Sequence, residues 1–181
     1  MEEKKGIFRE FAQDWKQVFS RPKEFFLNTP MEFDRTLRFA LINIGFYSIG
    51  VLILSRFLEL PPRVHFFHNP FIIFIYTFIN LLLGWFIYSL LLHCFFKLFR
   101  GKGGFKQTLC VRGYSLAISV FSWIPVIGII AEIYGLYITI RGGEVKHNIS
   151  LGKAVSAVVL SIFIPLLLIL LFSISILRRL L

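Results

Sequence analysis

A chain of 181 residues that is 56% hydrophobic, with twenty-two Phe, only 17% charged residues and a mean hydropathy of +0.74, lies outside the composition of soluble domains. Its net charge of +10 is no nucleic-acid footprint, because residues 1–35 are neutral and the basic excess lies in the apolar remainder, flanking hydrophobic runs. What composition leaves is an all-α, polytopic transmembrane bundle whose first medium is the lipid bilayer, with no nucleic acid as partner.

The chain opens on "MEEKKGIFREFAQDWKQVFSRPKEFF", which lacks the h-region and cleavage site of a secretory signal, so the first span is expected to act as the targeting signal. Phe8, Phe11, Trp15, Val18 and Phe19 recur at three- and four-residue intervals among charged and polar neighbours. That period predicts an amphipathic helix, and two placements fit it: flat in the membrane interface, or packed on the inner face of the bundle. A second helix is expected to start at "SRPKEFF", with Ser20 as N-cap and Pro22 in the first turn. The division expected is a cytoplasmic N-terminal segment, 1–35, ahead of a transmembrane domain, 36–181.

Five apolar segments come next, at about 36–58, 70–96, 108–124, 126–140 and 153–177. With the N-terminus inside, sixteen Lys/Arg fall on the inner side and four on the outer side, so the bias of basic residues predicts N-terminus in and C-terminus out. The third and fourth segments are short, and "WIPVIG" joins them without a polar loop. They are expected to form a tight hairpin turned at Pro125, and both a re-entrant pair and two full spans satisfy the charge pattern. Pro165 should bend the last span near its middle.

The segment "IPVIGIIAEIYGLYITI" carries one acid, Glu132. At 100° per residue it shares a face with Gly128, Gly135 and Thr139, and small residues mark close helix approach, so Glu132 is expected to point into the bundle. Arg112, on the preceding segment, is the intramembrane base available to it, but it lies thirteen residues before Pro125 while Glu132 lies seven after. Antiparallel helices would then offset the two by about 9 Å along the axis. Glu132 therefore pairs with Arg112 across a long reach, or is held neutral by desolvation and hydrogen-bonded to Asn80, Asn43 or a Tyr hydroxyl, or serves as a proton or cation site. Lys97, Arg100, Lys102, Lys106, His147 and Lys153 flank the inner ends and form a basic rim suited to anionic lipid headgroups or an acidic partner surface.

Other signals are weak. "HFFH" at 65–68 lacks Cys or carboxylate companions and reads as interfacial aromatics, with no metal site expected. Cys94 and Cys110 have no framework spacing and read as free thiols. No HExxH, GxSxG or Walker-type loop is present, and neither an enzyme nor a cofactor is expected.

Three stretches, "RGKGGFKQTLCVRGYSLA", "IPVIGIIAEIYGLYITIRGG" and "VKHNISLGKAVSAVVL", together with "RPKEFF" before the first span, resemble the successive signatures of the Yip domain, named for Ypt/Rab-interacting proteins. The resemblance covers nearly the whole chain. It rests on Gly104, Phe105, Gly113, Tyr114, Pro125, Gly128, Gly143, His147, Ser150, Gly152, Lys153 and Ala154. It implies a five-span membrane protein with a cytoplasmic N-terminus. It also implies a non-enzymatic role as a scaffold or membrane-organising partner, associating with another membrane protein or with itself. Without the long cytoplasmic extension common in eukaryotic members, the chain looks like a short prokaryotic form of the cytoplasmic membrane, and Rab binding is not implied for it. The family pattern does not fix an acid at Glu132. The competing class is a small transporter or channel with a polar intramembrane site around Glu132, since short, Gly/Pro-interrupted segments can mark a substrate site.

Overall fold

A computed structural model describes residues 2–57 and 69–180, and among these the regular structure is entirely helical. The expected interfacial "HFFH" and the loop around it lie outside the described residues. Eight α-helices run in order: α1 (Glu2–Ser20), α2 (Pro22–Asn28), α3 (Phe33–Phe57), α4 (Pro70–Leu98), α5 (Phe105–Ser115), α6 (Ser119–Ser122), α7 (Ile127–His147) and α8 (Leu151–Leu180). A 3-10 turn, Leu116–Ile118, joins α5 to α6.

Local chemistry accounts for most helix ends. Pro22 and Pro70 each occupy the first turn, where a missing N–H costs nothing. Asn69 caps α4 by accepting the Phe71 N–H at 2.9 Å. At α5 the Gln107 side chain reaches back to the Gly104 N–H at 2.9 Å, and α7 closes on Asn148 in the left-handed region, φ 51°. Ser20 is not the cap of α2: Arg21 takes that place, and the Ser20 hydroxyl instead donates to Lys16 O at 2.6 Å, satisfying the end of α1. Ser20 still belongs to the preceding helix, and a serine there prefers the local i−4 carbonyl.

Three helices, α3, α4 and α8 from Leu151 to Ser173, are long and apolar enough to cross a membrane. The two short segments differ from expectation. The run 108–124, expected as one rod, is broken at Leu116–Ile118 into α5 and α6. The run 126–140 does not stop at the charged residues but continues as α7 to His147, because Gly142 and Gly143 let Phe26 and Phe96 close against it where any Cβ would lie within 3 Å of those rings. The α5–α6 arm and α7 pack against one another across the turn at Pro125. Gly128 is pressed against Ser122 O and Gly135 against the Ile118 side chain.

Helix α5 sits at the centre. It touches α3, α4 and α7. Val111 and Tyr114 join Val18, Phe25, Phe26, Phe39 and Ile138 in one buried cluster, in which the Tyr114 ring meets Phe25 edge-on at 4.8 Å and Phe39 at 5.0 Å. Leu109 and Leu116 join Ala40, Ile44 and Trp85 in a second. A third, between α4 and α8, holds Leu92, Phe96, Ala157 and Val158. By contrast the outward faces of α4, α7 and α8 expose Phe86, Ile87, Ile129, Ile133, Phe163 and Leu168, as lipid-facing surfaces do.

Of the two placements open to the first helix, the packed one is found. The Trp15 indole donates to Ala117 O at 3.0 Å and stacks on Phe19, while Val18 is fully buried. Asp14, itself buried, receives two hydrogen bonds from the Arg35 guanidinium of α3, and Glu10 pairs with both Arg35 and Arg38. Such a bidentate pair fixes both distance and direction, so α1 is docked in one register.

Removing the Asp14 charge leaves Arg35 only its contact with Glu10, at 3.2 Å, in a partly buried place. Asp14→Asn is expected to destabilise the docked N-terminal helix by about 1–3 kcal/mol, discounted because Arg35 keeps some contact with solvent. Limited proteolysis in detergent checks this: cleavage within residues 2–28 should accelerate in the variant while the rest of the chain stays protected.

Candidate functional site

The break between α5 and α6 opens a cavity of about 300 Å³ between α3, α4, α5, α7 and α8. Arg112 enters it from α5. One terminal nitrogen donates to Ser115 Oγ at 2.8 Å and Thr139 Oγ1 at 3.2 Å, and the guanidinium carbon lies 4.5 Å from the centre of the Tyr88 ring. Arg112 Nε is buried and has no partner among the described residues. Glu132 lines the same cavity together with Tyr47 and Gly135.

Two of the expectations for Glu132 are corrected by this geometry. It does not pair directly with Arg112: among the described residues no oxygen–nitrogen approach within 4.0 Å joins them, and their register along the hairpin is the reason. Among the same residues it is not hydrogen-bonded to Asn80, Asn43 or a Tyr hydroxyl. It does line the cavity between the helices beside Gly135, as expected for that face of α7, although unlike Gly128, Gly135 and Thr139 its side chain is exposed.

Asn80 belongs elsewhere: it is exposed on α4, and its amide donates to Tyr76 O of its own helix at 2.8 Å. Asn43 is fully buried, donates to Phe39 O at 2.8 Å, and offers its backbone oxygen to Ser119 Oγ at 3.2 Å. Helical spacing already puts Ser115 on the stripe of Arg112 and Tyr47 on the polar stripe of α3, whereas sequence reasoning missed Tyr88. Gly113 packs against Thr36, whose Cγ2 would lie 2.4 Å from any added Cβ.

At the charged end of the bundle a second polar group is assembled around His147. Its Nε2 shares a hydrogen bond with Thr108 Oγ1 at 2.9 Å, and the same hydroxyl meets His93 Nδ1 at 2.9 Å. The ring lies 4.4 Å from that of Phe96, and its backbone oxygen accepts the Lys102 N–H at 2.8 Å. Gly101 and Gly103 stand so close to this ring that a Cβ on either would touch Nδ1 at 3.0 Å. His147 is therefore no member of the basic rim. It is fully buried, and burial first, then His93 and Lys97, push it down to about 4, so that it is neutral near pH 7.

The other rim residues are where the sequence placed them. Lys97, Arg100, Lys102 and Lys106 are exposed on the turn between α4 and α5 and its flanks, and Lys153 is exposed at the start of α8. The Lys102–His147 backbone bond holds the two turns together. Other basic side chains are engaged internally: Lys23 and Arg141 both pair with Glu144, whose carboxyl is pushed up by partial burial but held below its usual range by those two hydrogen bonds. Lys146 donates to Thr29 O at 3.0 Å. Cys94 and Cys110 are both free, the first exposed and the second buried.

Three membrane-length apolar helices around a buried polar core point to a helical membrane protein with a charged cavity and a basic end. The model of the Yip1 domain matches residues 16–174, and the chain belongs to that family. No curated protein and no solved structure matches it. The motif positions fall on structural joints: Gly104 at the cap of α5, Tyr114 in the aromatic core, Pro125 in the turn, Gly143 against Phe96, and Ala154 buried in α8.

The His147 group has a signed pH dependence. Its folded value lies below that of an unfolded histidine, so the stabilising effect is complete above about pH 6.5 and is lost as pH falls toward 4, by up to about 3 kcal/mol. Thermal unfolding in detergent should show a Tm that drops across this window. His147→Gln, which keeps a hydrogen-bonding group near Thr108 but cannot titrate, should flatten the drop.

Proposed function

We propose that this protein is a non-enzymatic, five-span scaffold or membrane-organising component, acting through its basic end on anionic lipid headgroups or an acidic partner surface. The observation that carries this reading is a contrast among cations. Arg21, Lys23, Arg35, Arg38 and Arg141 are engaged in ion pairs, whereas Lys97, Arg100, Lys102, Lys106 and Lys153, among the described residues, meet no acid. Five exposed, uncompensated charges on two joined turns make a concentrated positive field, worth about 1 kcal/mol per residue near an anionic surface. The packing of the neutral His147 ring beneath them keeps that presentation fixed.

Protein in nanodiscs of neutral lipid should bind vesicles containing phosphatidylglycerol at low ionic strength and release them as salt rises. Changing Lys97, Arg100, Lys102 and Lys106 to Gln should weaken that binding by about a hundredfold or more. Wild-type binding that ignores salt, or a variant that binds equally well, contradicts the proposal.

A second reading, a small transporter or channel, is favoured by the cavity holding Glu132 and Arg112. In reconstituted liposomes it predicts ion or solute flux that Glu132→Gln abolishes without loss of folding. Absence of flux in the wild-type protein counts against it.

A further inference from the structure

The cavity presents one cation and one anion to the same space without letting them meet. Arg112 is satisfied on one side by hydroxyls and the Tyr88 ring, yet its Nε is buried and unpartnered. Glu132 faces the cavity with no hydrogen bond or ion pair among the described residues. Within low-dielectric surroundings each charge gains strongly from a counter-charge, and the helix register denies them each other. A simple anion on Arg112 would be repelled by Glu132, and a simple cation on Glu132 by Arg112. A neutral apolar occupant would leave both unpaired. The complementary occupant is dipolar, with clustered anionic oxygens at one end and an ammonium at the other.

The surroundings narrow the source. Leu81, Leu136 and Ile162 line the cavity, and α7, which carries Glu132, also exposes Ile129, Ile130 and Ile133, each about two-thirds exposed, on its lipid-facing surface. A cavity of about 300 Å³ is at the small end of the range for ligand sites, enough for a polar headgroup but not for chains attached to it. An amphiphile can leave its acyl chains along the exposed apolar helices while its headgroup enters. The planar guanidinium is the side chain best shaped for phosphoryl oxygens.

We propose that this cavity binds the headgroup of an aminophospholipid, its phosphate on Arg112 and its ammonium on Glu132. The site is independent of the basic rim and goes beyond both functional readings, since it names a ligand and the residues that choose it. Tyr47 and Ser115 complete the polar lining.

The test uses the full-length protein in nanodiscs of equal phosphatidylethanolamine and phosphatidylglycerol, followed by detergent exchange and mass spectrometry of the lipid retained. Wild type should retain phosphatidylethanolamine over phosphatidylglycerol by about tenfold, the effect of one charge-assisted contact. Glu132→Gln should abolish or invert that preference, because the ammonium loses its partner while phosphate binding remains. Its fold is not at risk, since Glu132 makes no internal hydrogen bond or ion pair among the described residues. Arg112→Lys should retain less of either lipid. Equal retention of both lipids by wild type, or an unchanged preference in Glu132→Gln, overturns the proposal. Thermal protection by soluble phosphoethanolamine without any lipid retention overturns the lipid assignment.

Discussion

Helix α5 carries Thr108, Arg112 and Ser115 into the middle of a membrane bundle, and the rest of the molecule is arranged so that none of them faces lipid. Helices α4, α7 and α1 contribute polar partners. From α4 come His93 for Thr108 and the Trp85 indole, which donates to Leu109 O at 3.2 Å. From α7 come His147 for Thr108 and Thr139 for Arg112, and from α1 comes Trp15 for Ala117 O in the 3-10 turn. Where α5 stops, the tightened turn frees carbonyls that a continuous helix would have occupied, and the Trp15 indole and hydroxyls fill the gap. An unsatisfied polar group in this place costs several kcal/mol, so the wrapping is a requirement rather than an ornament. The helices long and apolar enough to cross a membrane, α3, α4 and α8, accordingly leave most of their surface unburied.

The same logic divides the charges into those that hold the structure and those left over. Asp14, Glu10 and Glu144 pair with Arg35, Arg38, Lys23 and Arg141, tying α1 to α3 and α2 to α7. All of these pairs except Arg141–Glu144, which lies within α7, join different helices and so fix the N-terminal helices as part of the bundle. The unspent cations lie on the α4–α5 and α7–α8 connections, where buried His147 acts as a neutral wedge beneath them. A charged residue there would oppose Lys97 and Lys102. An aromatic ring that is neutral, hydrogen-bonded and packed on Phe96 does not.

How much of this was legible before the structure depended on whether a feature is written in local pattern. The three long helices follow from apolar run length, and the docking face of α1 follows from Phe11, Trp15, Val18 and Phe19 at helical spacing. Arg112 and Glu132 as lone intramembrane charges were equally visible. The rim was visible in part, because exposed Lys and Arg at helix ends carry their own signal, but His147 was misplaced: a histidine beside lysines reads as one of them until the ring is seen under Gly101 and Gly103. The end of α5 carried no mark at all. Leu116, Ala117 and Ile118 are ordinary helix residues, and the break arises from tertiary contacts, not from Gly or Pro. Asn80 shows the converse failure, since a polar residue on a helical stripe can turn back to its own backbone and face outward.

What keeps Arg112 and Glu132 apart is the turn between α6 and α7. Val126 sits at φ 68°, ψ −54°, and the Ile127 N–H bonds back to Pro125 O at 2.8 Å, which is the geometry of a tight, three-residue turn that a β-branched residue adopts only under strain. Two contacts of the next residue hold that strain in place: the Gly128 N–H bonds to Ile124 O at 2.7 Å, and Gly128 lies flush on Ser122, so α7 can slide neither toward nor away from the α5–α6 arm. With that register locked, the thirteen residues from Arg112 to Pro125 and the seven from Pro125 to Glu132 cannot be brought level. A looser loop would let the two charges close on one another and collapse the space between them. A cavity with separated charges is thus a consequence of a strained turn and two glycine contacts, and these lie within the residues that the Yip1 domain matches.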